Sequence, residues 1–462
     1  MQPNEGLVTS LNAIREMSIV NGSAYHQYVP IIDTTTDIGA LSQPILNNPT
    51  VRNDFMSMLI NRIVYTQFEI KYFNNPLQVL EGDRIPLGYA GQEIYVNPAK
   101  GRKFNVEDFA GLLAKYEADV KVQYTHINMD LQYPVTISYT QLKKAFVSWD
   151  ALDNFIDGLS MSLYNGAYID EFQFTKNIVG GAYMKNQAQI RTLTAPSTEA
   201  LAKQFTTNLR EMFLNMQLPS TQYNAWDKVG GAGRPVRTWS RPEDIVVIVR
   251  NDIRAFLDVN VLAQAFHIDE AKLLGNIISV DNFDVYDDNG VKIFDGSKIL
   301  GFIGDKSWFR IKRQDMFVEE FRNPNNRTYQ MYLNLIKMYN YSLFANGVIL
   351  ATEQPTVTIT GLGYTGDALT IPVGGSESAR VDVTPVTGNN PAIVFTSSDT
   401  DVATVSADPA NPARVIVSGV ADGTATITAT SGNVTATISV TVGEGNSSES
   451  NGESNSSESN GE

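Results

Sequence analysis

Residues 424–442 read TATITATSGNVTATISVTV, a run in which small and β-branched residues alternate almost without a break. A two-residue period sends Ala425, Ile427 and Ala429 to one side of a strand and threonines to the other. Val434, Ala436, Ile438 and Val440 repeat the pattern after a Ser-Gly-Asn turn. This is strand, turn, strand. The same Val, Thr, Ala, Ser and Gly composition, without Trp or Met, reaches back to the shift at TEQPTVTITG, where Pro355 suits a linker. Short strands punctuated by Gly, Pro, Asn and Asp predict a two-layer all-β sandwich over 355–443.

The flanking segments differ sharply. Residues 1–352 are rich in aromatics and mixed in pattern. Beyond residue 443, NSSESNGESNSSESNGE repeats with a nine-residue period and carries no apolar residue. Nothing in 444–462 can offset ordering entropy, so that tail is expected to be disordered.

A chain of 462 residues has room for two or three domains. The absence of Cys excludes a disulfide framework, thiolate catalysis and Cys-ligated zinc. Formal net charge is −15, and the first 353 residues hold 33 basic against 38 acidic side chains. Without a Lys/Arg cluster, neutralising nucleic-acid phosphates is not the main task. The start, MQPNEGLVTSLNAIREMSIVNG, lacks a basic-then-apolar export signal, and no run of about 18 apolar residues occurs. A soluble protein made where it is used is expected.

Within 1–352, Leu152, Phe155, Ile156, Leu159 and Leu163 recur at spacings of three and four, with Asp150 placed to cap the helix. The pattern runs on through Ile169, Phe172, Ile178 and Ala182, predicting one helix of about 35 residues or two in tandem. A second helix is predicted over 199–216, a buried strand over 244–249, and a hairpin over 285–294 turning at Asn289-Gly290. Helices and strands mix without a βαβ rhythm, so the segment reads as α+β. Residues 75–104, NPLQVLEGDRIPLGYAGQEIYVNPAKGRKF, contain strand-like pieces, yet three prolines and four glycines bar them from a central sheet. A lone hairpin of this kind is marginal in water, so either its own chain or a neighbouring one must cover it.

No catalytic, cofactor-binding or metal-binding residue is expected. His26, His126 and His267 stand alone, without a zinc spacing. GGAGR at 230–234 lacks the GK[ST] ending of a phosphate loop. In DVYDDNG, residues 284–290, the calcium-loop register puts Val285 first and Gly296 twelfth, where acids are required. There is no GxSxG.

Two resemblances add to this. VGGSESARVDVTP (373–385), FTSSDTDVATVS (395–406), GVADGTATITATSG (419–432) and ATISVTV (436–442) resemble the bacterial immunoglobulin-like domain, group 2 (BIG2), with Phe395 where that family usually has Trp. NNPLQVLEGDRIPLGYAGQEIY (74–95), 142–176, VNVLAQAFHIDEAKLLGN (259–276) and 317–348 resemble, in order, the major capsid proteins of phi29-like small podoviruses. That second resemblance implies the Hong Kong 97-type capsid fold over 1–352. It implies an N-arm at 1–74, an extended loop at 75–104 reaching over an adjacent subunit, a spine helix at about 150–185 and an axial domain at about 190–300. The segment from FVEEF (317–321) to Leu350 would return to the peripheral domain. The implied function is a major head protein of a tailed double-stranded DNA phage, self-assembling into pentameric and hexameric capsomers of an icosahedral or prolate shell. Scaffolding protein, portal and head fibres would be its partners, the virion its location and the host bacterial cytoplasm its place of assembly; no cofactor, membrane or sequence-specific DNA binding is implied. The rival is an exported adhesin or an enzyme carrying an immunoglobulin-like module. It would need an export signal or a convergent site.

Overall fold

The computed structural model describes residues 3, 5–65, 73–86, 91–102, 114–230, 234–257, 277–287, 290–364, 368–408 and 411–443. The acidic repeat tail, His267 and the 259–276 stretch lie outside these. The chain divides into two units, one holding nearly all of residues 1–353 and the other running from Gln354.

In the first unit the apolar spacing of three and four becomes a single 36-residue helix, Trp149–Met184, about 54 Å long at 1.5 Å per residue. Leu152, Ile156, Leu159, Leu163 and Ala167 are buried along one side. The cap is not Asp150. Ser148 takes that place, accepting the Ala151 N–H through its hydroxyl, while Asp150 sits in the first turn, where its charge suits the helix dipole. The helix packs on an antiparallel sheet ordered Phe309–Asn323, Thr328–Tyr341, Met129–Ser138. Gly166 faces Tyr133 of that sheet, where a Cβ would make ordinary contact at 3.4 Å.

A second, mixed sheet of five strands is ordered Gln189–Thr192, Gly347–Ala351, Ile299–Asp305, Ile245–Arg250, Ile277–Val280. Its three inner strands are almost wholly buried, so they carry continuous apolar runs rather than alternation. Phe205, Leu209, Met212 and Phe213 of helix Glu199–Asn215 cover one face with Val247, Val249 and Leu350. Val246, Ile248, Phe302 and Ile349 join the main core on the other. The strand Gly347–Ala351, part of the segment that the resemblance assigns to the peripheral domain, lies in this sheet. Its pairing with Ile299–Asp305 and Gln189–Thr192 is long-range and leaves no local trace.

Trp308 is 1% exposed and stacks on Tyr341 at 5.2 Å. A Cβ on Gly347 would come within 2.5 Å of its indole. Gly347→Ala is therefore expected to destabilise this unit by about 1–3 kcal/mol through overpacking, read as a lower urea midpoint. An unchanged midpoint would mean that the indole has room to move.

The second unit is the expected sandwich. One sheet is ordered Gly361–Tyr364, Ser376–Thr384, Asn411–Gly419, Ala403–Asp408; the other Leu369–Ile371, Val434–Val442, Gly423–Ser431, Val394–Ser397. Ala425, Ile427, Ala429, Ile438 and Val440 are buried between them. Thr424 pairs with Thr441 and Ser431 with Val434, and Gly432 supplies the positive φ that the turn needs. Phe395 packs part-buried against this core.

Candidate assembly interface

Among the described residues, the 75–104 stretch does not pair with itself. Its strand, Gly91–Val96, pairs antiparallel with Val120–Thr125, so the hairpin is longer and begins later than its local sequence suggests. Residues 75–86 are covered by their own chain. Gly82 and Ile85 donate backbone N–H bonds of 2.8 and 2.9 Å to the carbonyls of Ile311 and Arg313, and Leu77, Leu80 and Ile85 are buried. Pro76, Gly82 and Pro86 suit a strap along a sheet edge.

The hairpin itself is inside out. Glu93, Tyr95, Lys121, Gln123 and Thr125 point toward their own chain, the first four held by polar contacts. The Arg310 guanidinium and the Ser342 hydroxyl both donate to Glu93. The Gln123 side chain donates to the Tyr341 carbonyl and accepts from the Leu343 N–H, each at 2.8 Å. Tyr95 donates to the Arg237 carbonyl and stacks on Phe344, with centroids 5.6 Å apart; burial pushes its phenol above the ordinary value, opposed by a hydrogen bond with Thr238. At the far end of the strands the Lys121 ammonium, 2.9 Å from Asp119, and then Asn97 hold the Asp119 carboxyl below the usual range. The opposite face pairs Ile94 with Val122, Val96 with Val120 and Gln92 with Tyr124. Ile94 is 58% exposed, Val96 53%, Val120 49% and Tyr124 75%. A strand pair normally turns its apolar face inward. Here the apolar face looks into solvent, the composition of a surface made to be covered.

A buried ionic cluster joins the long helix, the central strand and the strap. Lys337, 1% exposed on the central strand Thr328–Tyr341, reaches Glu171 of the long helix at 2.5 Å and Glu81 of the strap at 3.0 Å. Arg313 lies 3.5 Å from Glu81. Burial raises the Glu171 carboxyl, and the nearby Lys337 charge opposes it. Burial and these two glutamates likewise raise the Tyr339 phenol. One lysine thus ties helix, sheet and strap together. Its sequence signal, a lysine amid the apolar LNLIKMY, carried no reading.

The other sequence candidates stay apart. His126 is exposed beside the hairpin, and His26 packs among the N-terminal helices with a buried Nδ1. Asp284 accepts the Gly296 N–H and pairs with Lys292, while Asp287 accepts from Val291; both serve the turns around Val285–Tyr286 and Lys292–Phe294. Asn289 and Gly231–Gly233 fall outside the described residues. Among those described, no group of three or more His, Asp or Glu is placed to hold a metal, and no helix is long and apolar enough to cross a membrane.

Comparison with known proteins gives the family. Residues 11–351 match the family model of phi29-like phage major capsid proteins. The chain belongs to that family. It is 30% identical over 360 residues to the major capsid protein of Bacillus phage PZA, covering 76% of each chain. It is 29% identical over 355 residues to that of Bacillus phage B103, covering 76% of this chain and 74% of the relative. Residues 358–442 match the bacterial immunoglobulin-like domain, group 2. Among solved structures, the capsid of Staphylococcus phage Andhra superposes with a TM-score of 0.51 at 15% identity, over 62% of this chain and 87% of that one. The first unit therefore has the Hong Kong 97-type capsid fold, and the chain is a major capsid protein of a tailed phage.

Proposed function

We propose that copies of this capsid protein close into an icosahedral or prolate shell around double-stranded DNA, each laying the apolar face of its Gly91–Val96/Val120–Thr125 hairpin on the next. The observation that carries this is the inverted hairpin. Its polar face is consumed within the chain, and its apolar face has no cover among the described residues. Such a contact joins two different patches, so it propagates from copy to copy until the ring closes. Each covered Val, Ile or Tyr contributes on the order of 1–2 kcal/mol gross, and repetition makes modest contacts durable.

In this reading the long helix is the spine of the peripheral domain, and the five-stranded sheet with helix Glu199–Asn215 forms the axial domain around capsomer axes. The resemblance placed the extended loop at 75–104; we place it at about 91–125, with 75–86 as its anchored stem. The immunoglobulin-like unit is an outward-facing module for reinforcement or attachment. Scaffolding protein, portal and head fibres are the further partners, the virion is the location, and assembly takes place in the bacterial cytoplasm. The role is structural rather than enzymatic, in keeping with the capsid family to which the chain belongs.

Expression of the full chain in a bacterium, with and without an assembly helper, followed by sedimentation and electron microscopy, tests this. Shell-sized particles or capsomer-like oligomers are the expected outcome. Residues 1–353 alone are expected to give them too. A monomer under every condition would sink the proposal.

A further inference from the structure

The far end of the three-stranded sheet holds a pocket of about 290 Å³ lined by Arg52, Tyr139, Arg322, Pro324, Arg327 and Tyr329. Arg322 and Tyr329 are register partners across the hairpin and so share one face. Arg327 holds a φ of 51°, a conformation that side chains other than Gly, Asn and Asp seldom adopt, while its carbonyl accepts the Tyr139 N–H at 3.1 Å. The floor is fixed. Arg52 donates from Nε to the Tyr329 hydroxyl at 3.2 Å and from Nη1 to the Leu46 carbonyl at 3.3 Å, and Tyr329 donates to Asn53 at 2.7 Å. The Arg52 guanidinium lies 4.7 Å from the centre of the Tyr139 ring, and the Lys143 ammonium 4.8 Å from it.

No carboxylate lines the pocket. Glu320, on the same face as Arg322, pairs in register with Met331, one step nearer the sheet centre. Asp54, two residues beyond Arg52, accepts the Ser23 hydroxyl at 2.6 Å. None of the ion pairs among the described residues involves Arg52, Lys143, Arg322 or Arg327. Among the described residues, three guanidiniums thus share one space without a countercharge, in a chain whose net charge is −15.

We propose that this pocket binds a phosphate group. A carboxylate would leave two of the three positive charges uncompensated. A phosphate brings more negative charge and several acceptor oxygens, which planar guanidiniums meet with paired N–H donors. The volume, equal to about ten water molecules, admits a phosphate with part of its hydration. The group can come from free phosphate or from the backbone of duplex DNA, and the test separates the two.

Titration calorimetry of the full chain with inorganic phosphate is expected to show saturable binding. Arg322→Ala/Arg327→Ala should weaken it at least tenfold without moving the urea midpoint, because both side chains are exposed at a turn. Arg327→Lys, which keeps the charge but loses the fork, should weaken it several-fold. A short DNA duplex that displaces phosphate from the wild type, but not from the double variant's residual site, assigns the pocket to phosphodiesters; failure to displace assigns it to free phosphate. Absence of phosphate binding overturns the proposal. So does tighter binding of a glutamate-rich peptide than of phosphate, which would make the pocket a docking point for an acidic protein segment. Neither result depends on whether particles form.

Discussion

Replacing Ile94, Val96, Val120 and Tyr124 together by Thr is expected to leave the fold intact and cut particle yield at least tenfold. All four side chains are half or more exposed, or close to it, and none lies on the face that bonds to its own chain. Thr keeps the β preference of the strands, so the hairpin should persist. The loss falls on the covering surface instead. At about 1 kcal/mol for each substituted side chain, a single contact weakens by roughly three powers of ten, and every contact in a shell carries the same deficit. Urea unfolding should match the wild type, while sedimentation shows little fast material. Wild-type particle yields would refute the docking role. Deleting residues 79–100 is a poorer probe, because it takes out Leu80 and Ile85, which are buried within their own chain.

Lys337→Met should lower the stability of the first unit by about 3–5 kcal/mol, the usual result of stranding buried charges by deleting their partner. Glu171 and Glu81 would then face each other with only Arg313 nearby. The sign with pH follows from Glu171. Its carboxyl is raised in the folded protein by burial, with Lys337 acting in the opposite direction. The folded form therefore keeps a proton that the unfolded chain releases, and this group's contribution falls as pH rises through the window above the ordinary glutamate value. Removing Lys337 widens that window. The penalty should thus be smaller at about pH 5 than at pH 7–8, and Glu171→Gln in the Lys337→Met background should restore part of the loss. Equal penalties at both pH values, or no effect of Glu171→Gln, would show that Lys337 acts through packing alone.

What could be read from the residues follows how local the physics was. The sandwich strands were legible because alternation is a property of neighbours, and the long helix because Leu152, Ile156, Leu159 and Leu163 repeat within two turns. The capping residue was misplaced by two positions, since Ser148 and Asp150 have similar capping chemistry. The hairpin was misdrawn because Gly91–Val96 finds its partner beyond residue 119. Pro76, Gly82 and Pro86 signal exclusion from a sheet interior, but they do not say which chain provides the cover. Alternation in VKVQYT reports two faces without saying which one is wet. The buried Lys337 was invisible for the same reason: its partners lie on a helix and a strap far away in sequence.

The strand Phe309–Asn323 forms the outer edge of its sheet, and the strap covers only the part up to the bulge at Gln314. Beyond it the rim carries Glu319, Glu320 and Arg322. Charged side chains there discourage indiscriminate zippering of one backbone onto another. In a solution crowded with copies, those few charges disfavour the edge-to-edge stacking from which amyloid-like aggregates grow.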